Sequence, residues 1–241
     1  MSKRLDERSF RELLVESDDL QSDAMRGARR DLNAYVEAAR DSRRTATAGS
    51  SAQDIMALQT AAGLENLAVF TYKTALTLPF IGGSSANGVV KAFAMKTMQQ
   101  HTEHGQAFNG AAMKLGGKAQ SGTDPKYTPV VQKAAGAITG ALDVVSLAIT
   151  LEDIAAETYV NDVGLVSTPD LRNLFASVAG VESQHKAILL AVQALLKGGA
   201  PQLIALPPDA AKLPAAAGSV GFPDSFFPVT NAAPVAQGAV Q

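Results

Sequence analysis

One short phrase occurs twice in this chain, as LENLAVFTY from Leu64 to Tyr72 and as LEDIAAETY from Leu151 to Tyr159, with Leu, Glu, Ala, Thr and Tyr recurring in register. Both copies sit inside long Ala- and Leu-rich stretches whose apolar residues fall at helical spacing, so the repeat is read as two equivalent helices. It puts Glu65 and Glu152 at matching points, each in largely apolar surroundings with a tyrosine, Tyr72 or Tyr159, two turns further along the same face. Burying an unpaired carboxylate is costly, so each glutamate predicts a partner on a neighbouring element. The two tyrosines are expected to be core aromatics with hydrogen-bonded hydroxyls.

Around the repeat, the spacing predicts four long helices at roughly 52–77, 87–115, 129–164 and 169–197, separated by short segments carrying Pro and Gly. The longest connection, from Gly116-Gly117 to Pro125 and Pro129, falls between the second and third. That is where a four-helix bundle with one long crossover needs it. A chain of 241 residues that is 46% hydrophobic suffices for one sizeable core. The expected fold class is therefore all-α: a four-helix bundle over 52–197, preceded over 1–51 by an extra helix and linker and followed over 198–241 by an irregular Pro/Ala-rich tail. The N-terminal helix, about Glu7 to Arg40, carries only an incomplete apolar stripe and is expected to dock on the bundle, a partner protein or a membrane surface. Pro207-Pro208, Phe222-Pro223 and Phe227-Pro228 rule out regular helix in the tail. Phe222, Phe226 and Phe227 are candidates to pin it, either onto the bundle or onto a neighbouring subunit in a homo-oligomer. Met56, Met95, Met98 and Met113 read as core filling.

The other two helices supply partners for the repeated glutamates. His101-Thr102-Glu103-His104 lies in the second and Glu182-Ser183-Gln184-His185 in the fourth, and these motifs hold all three histidines of the chain. Residues three apart share a helix face, so each motif can aim two donors at one ion or at two adjacent ions. Glu103 is turned away from the His101/His104 face, and Glu157 is a further candidate only partly on the face of Glu152. With no cysteine, any metal must rest on oxygen and imidazole. A net charge of -2 offers no basic excess for phosphates, so nucleic acid is not an expected partner.

In this set of motifs the chain resembles the ferritin-like superfamily, and within it the group that includes desiccation-related proteins, from about Ala52 to Leu196. The superfamily's pattern is one Glu from each of two helices and a Glu-x-x-His from each of the other two. Carried over, Glu65 and Glu152 match the single glutamates, and Glu182 with His185 match one full motif. His104 matches the second motif's histidine, but His101 stands where its glutamate is expected. A carboxylate bridges two cations and offsets their charge; a neutral imidazole binds one and offsets nothing. The resemblance implies iron or manganese held by Glu65, His101, His104, Glu152, Glu182 and His185, two ions or, through the His101 departure, one. It also implies oxidoreductase chemistry with dioxygen or peroxide, of the ferroxidase, peroxidase or catalase-like kind.

The alternative is a ferritin-like scaffold without chemistry, acting as a binding or structural module through its terminal segments. No stretch has the length of uninterrupted apolar sequence that a membrane span needs. Arg43-Arg44 resembles part of a twin-arginine export signal but is followed by small polar residues. The expected location is cytoplasmic, with the cell envelope as the alternative if that pair is a remnant of a signal or anchor.

Overall fold

The computed structural model describes residues 51–84, 86–204 and 225–227. The expected N-terminal helix, the Arg43-Arg44 pair and most of the tail, Phe222 included, lie outside the described residues.

The described residues are all-helical: α1 Ser51–Ala75, α2 Gly88–Lys114, a short α3 Thr128–Ala135, α4 Ala141–Leu165 and α5 Pro169–Lys197, then a single 3-10 turn at Pro201–Leu203. Three of the long helices, α2, α4 and α5, start on a local signal. The Asn87 side chain accepts from the backbone N–H groups of Val89 and Val90, and Thr168 accepts from that of Leu171 with Pro169 in the first turn. At the start of α4 the Asp143 carboxylate accepts from the backbone N–H groups of Thr139 and Gly140. The third expected helix, 129–164, is thus two helices. Gly136 closes α3, and Asp143 recruits the Thr139-Gly140 backbone into a fresh start rather than letting one helix run through.

The crossover after α2 is fastened at both sides. Gly116 turns the chain at φ +88°, and a side chain on Gly117 would collide with Ile55 of α1. Asn66 and Asn109 both donate to the Gln120 carbonyl, and the Asp124 N–H donates to the Gly63 carbonyl.

Helix α1 packs on α2, α4 on α5, and α1 on α4. Two apolar layers fill the bundle. One gathers Leu58, Ala61, Phe108, Ala155, Tyr159, Phe175 and Val178; the other gathers Tyr72, Phe93, Val145, Ala148 and Leu189. Along each long helix these layers are separated by a polar step: Glu65 in α1, His101 and His104 in α2, Glu152 in α4, Glu182 and His185 in α5. The order of layers reverses between α1 and α2, between α4 and α5, and between α1 and α4, which makes those pairs antiparallel. Met98 packs against the second layer, but Met56, Met95 and Met113 are more than half exposed, so the core-filling expectation fails for those three. Each lies on the outward side of its helix, while neighbouring positions such as Ala94 and Ala112 face the core.

Among the described residues no helix is long and apolar enough to cross a membrane.

Candidate metal centre

The four polar steps meet in one buried cluster. Glu65, His101, His104, Glu152, Glu182 and His185 are each at most 2% exposed. Glu157 is exposed, and Glu103 points outward to accept from Gln99 and Ser225, so neither belongs to the cluster.

The repeat explains how the glutamates are held. Tyr72 of α1 donates its hydroxyl to Glu152 Oε1 of α4 at 2.5 Å, and Tyr159 of α4 donates to Glu65 Oε1 of α1 at 2.6 Å. In an antiparallel pair the two bonds are equivalent, so the recurring Glu and Tyr form a reciprocal clasp. Burial pushes both phenols well above their ordinary pKa, and the glutamates they face push the same way, so both hydroxyls stay protonated and remain donors. The second oxygen of each glutamate is thereby left facing the histidines.

The imidazoles fall into two kinds. His104 Nε2 lies 2.6 Å from the Ser225 carbonyl, and His185 Nε2 lies 2.9 Å from Gln100 Oε1. A carbonyl oxygen only accepts, so these nitrogens carry the proton and both Nδ1 atoms turn to the carboxylates. His185 Nδ1 stands 3.1 Å from Glu182 Oε2 and 3.3 Å from Glu152 Oε2. His101 differs, because both of its ring nitrogens face carboxylates: Nδ1 at 2.7 Å from Glu65 Oε2, Nε2 at 3.3 Å from Glu152 Oε1.

These atoms form two overlapping donor groups. Glu65, His101, His104 and Glu182 make one; His101, Glu152, Glu182 and His185 make the other, with each group's donor atoms within 4.8 Å of one another. Glu182 and His101 belong to both. Carboxylate oxygens and imidazole nitrogens are the donor set that iron, manganese or zinc accepts. One contact tests the fit directly. His104 Nδ1 is 2.8 Å from Glu182 Oε1, yet neither atom has a hydrogen-bond partner. The approach is close but misaligned for a hydrogen bond, as expected where two lone pairs are aimed at a common third point. Neighbouring ligand atoms around one ion with bonds of about 2.1 Å stand about 3 Å apart. The residues fit a metal.

Without a metal, the histidines and glutamates stabilise each other's charge. Burial acts to lower the His104 pKa, but Glu65 and Glu182 overcome it and raise the group from 6.5 to about 10. Burial likewise acts to raise Glu65, and His104 and His101 overcome it, bringing the carboxyl from 4.5 down to about 2. His101 and His185 are also raised and Glu152 lowered, by the same mutual attraction outweighing desolvation. The His104 contribution to stability is complete below 6.5 and is lost as pH rises through about 10; the Glu65 contribution is complete above 4.5 and is lost as pH falls through about 2. The metal-free protein is therefore expected to melt highest between about pH 4.5 and about pH 6.5. Thermal melts in chelator across the pH scale check this, and a maximum on the alkaline side of neutrality would contradict it.

Two contributors escaped the sequence reading. Gln100 is buried beside His101 in the chain, and a lone glutamine in a helix carries no ligand signal; Ser225 lies in the Pro-rich tail and acts through its backbone, which leaves no side-chain signal.

No curated protein and no solved structure matches the chain. A family model described as "Ferritin-like domain" matches residues 53–195, from early in α1 to near the end of α5. With that match covering more than half of its 241 residues and with an all-helical bundle around a buried glutamate–histidine cluster, the chain belongs to the ferritin-like domain family.

Proposed function

We propose that this protein binds two iron or manganese ions in the buried cluster and uses them for oxidoreductase chemistry on dioxygen or a peroxide. The observation that carries this reading is the pair of overlapping four-donor groups sharing Glu182 and His101. In the proposed assignment Glu65 and His104 serve one ion, Glu152 and His185 the other. Glu182 presents one oxygen to each side, Oε1 towards His104 and Oε2 towards His185. His101 holds the place between them with a nitrogen towards each single glutamate.

Bound iron or manganese would supply the electrons for reducing the small oxidant. The chain's own part is to orient donors, keep water out and limit what can enter. Tyr72 and Tyr159 each occupy one oxygen of a glutamate and so fix where the other points. A narrow cavity between α1 and α4 reaches Glu65, His101 and Glu152 past Leu67, Ala68 and Ala155, with about 20 Å³ of room for the centre of a water-sized molecule. That is space for about one such molecule, which fits dioxygen or hydrogen peroxide and excludes larger organic substrates.

Elemental analysis after reconstitution with iron or manganese, run on the protein and on its His101→Glu variant, tests the reading. About two equivalents are expected in both, because the variant keeps six donors and its added carboxylate offsets charge that imidazole does not. One equivalent rising to two in the variant would show that His101 makes the natural centre mononuclear. No metal in either would favour the non-catalytic module, with the cluster serving only as an internal ion-pair network.

A further inference from the structure

Resting on the two-ion reading above, we propose that the tail segment Ser225–Phe227 is a positioning part of the centre, fixing His104 in the form that can bind an ion and covering that half of the cluster.

The segment spans α2, more than a hundred residues back in the chain, and α5. On α2, the Ser225 carbonyl accepts from His104 Nε2 at 2.6 Å, and the Ser225 hydroxyl is hydrogen-bonded to Glu103. The Phe226 ring stands edge-on to the His104 ring, centroids 5.6 Å apart. On α5, the Phe227 N–H donates to the Ser177 carbonyl, and the Phe227 ring lies over Gly180, where even a Cβ would come within 3.2 Å of it. Gly180 is a seat cut for that ring. Phe226 and Phe227 are themselves partly exposed, and His104 beneath is completely buried.

A neutral imidazole carries one N–H. With it on Nε2, bonded to Ser225, the Nδ1 lone pair is free to face Glu182 Oε1 at 2.8 Å and Glu65 Oε2 at 3.6 Å. His185 gets the same service from Gln100, which lies within the bundle on α2. The two donor groups therefore differ in a way their ligands do not reveal. Among the described residues, one is oriented by the helices alone; the other depends on a distant stretch of chain. Losing an orienting partner of a metal-bound histidine weakens the site by roughly ten- to a hundred-fold.

The test is cobalt(II) titration, followed by visible absorption, of the full chain and of a chain ended after Ile204, with the zinc-loaded forms compared by long-range nitrogen–proton NMR of the histidine rings. The full chain is expected to bind two ions and to show His104 protonated on Nε2. The shortened chain is expected to keep the ion held by Glu152 and His185, to bind the other roughly ten- to a hundred-fold more weakly, and to lose the single His104 form. If the shortened chain loses its helical circular dichroism, Gly180→Val decides instead, since it unseats Phe227 while favouring helix, and the same one-ion loss is expected. Equal titrations and an unchanged His104 signal, in whichever variant is folded, would overturn the inference. A full chain that binds no cobalt would overturn the two-ion reading itself, a result separate from any effect of shortening.

Discussion

On the proposed two-ion reading, Glu182→Ala is expected to reduce metal content from about two ions to none, whereas Glu65→Ala and Glu152→Ala should each cost one. Glu182 is the only carboxylate that belongs to both donor groups, and its two oxygens point in opposite directions, one to His104 and one to His185. Removing it leaves each group with one carboxylate and two imidazoles, and removes the negative charge shared by two cations that would stand close together. Repulsion between ions then rises as donor number falls, and both changes act against binding. Elemental analysis of the three variants beside the parent, each with helical content confirmed, gives the comparison. Two ions retained in Glu182→Ala would remove it from the centre, and an equal effect of all three substitutions would point to a single shared ion.

Phe175→Ala should be among the most damaging substitutions to the fold, and its effect should reach the centre. The ring is completely buried, with centroid distances of 4.9 Å to Phe108 and 6.0 Å to Tyr159. Truncating a buried phenylalanine costs about 3–5 kcal/mol. For a chain of this size each kcal/mol moves the melting temperature by about 2–4 °C, so a fall of roughly 6–20 °C is expected. Tyr159 loses its backing in the same step, and its hydroxyl is the group that holds Glu65 Oε1. The variant should therefore bind the ion on the Glu65 side more weakly even at temperatures where it is folded. Paired thermal melts and metal titrations check both effects; a melting temperature within about 2 °C of the parent would mean that the layer repacks around the missing ring.

The bundle and the cluster were legible in sequence for the same reason: both depend on positions within helices, where spacing converts to direction. Glu65 and Glu152 were recognisable through their repeat, and His101, His104, Glu182 and His185 through three-residue spacing on apolar stretches. The clasp was half visible. Each tyrosine could be placed on its glutamate's face, but that it serves the other helix's glutamate follows from the antiparallel packing of α1 on α4, a tertiary fact. The break before α4 was missed because Gly136 to Gly140 also reads as tolerable helix, and only the use of the Asp143 side chain decides against it. Met56, Met95 and Met113 lie on outward helix faces, and apolar character alone does not fix which face a residue takes. Backbone groups such as the Ser225 carbonyl have no residue signature at all.

The two apolar layers on either side of the cluster also bear on how an ion arrives. Phe108, Tyr159 and Phe175 stand on one side, Tyr72, Phe93 and Leu189 on the other, and the six donors between them are almost without solvent contact among the described residues. On the proposed reading, an ion could exchange only as fast as this packing opens locally, which is slower than ligand substitution at an exposed site. An occupant taken up while the chain is folding would then be held against a competitor of higher intrinsic affinity, and the metal found in the protein would reflect the supply at the time of synthesis.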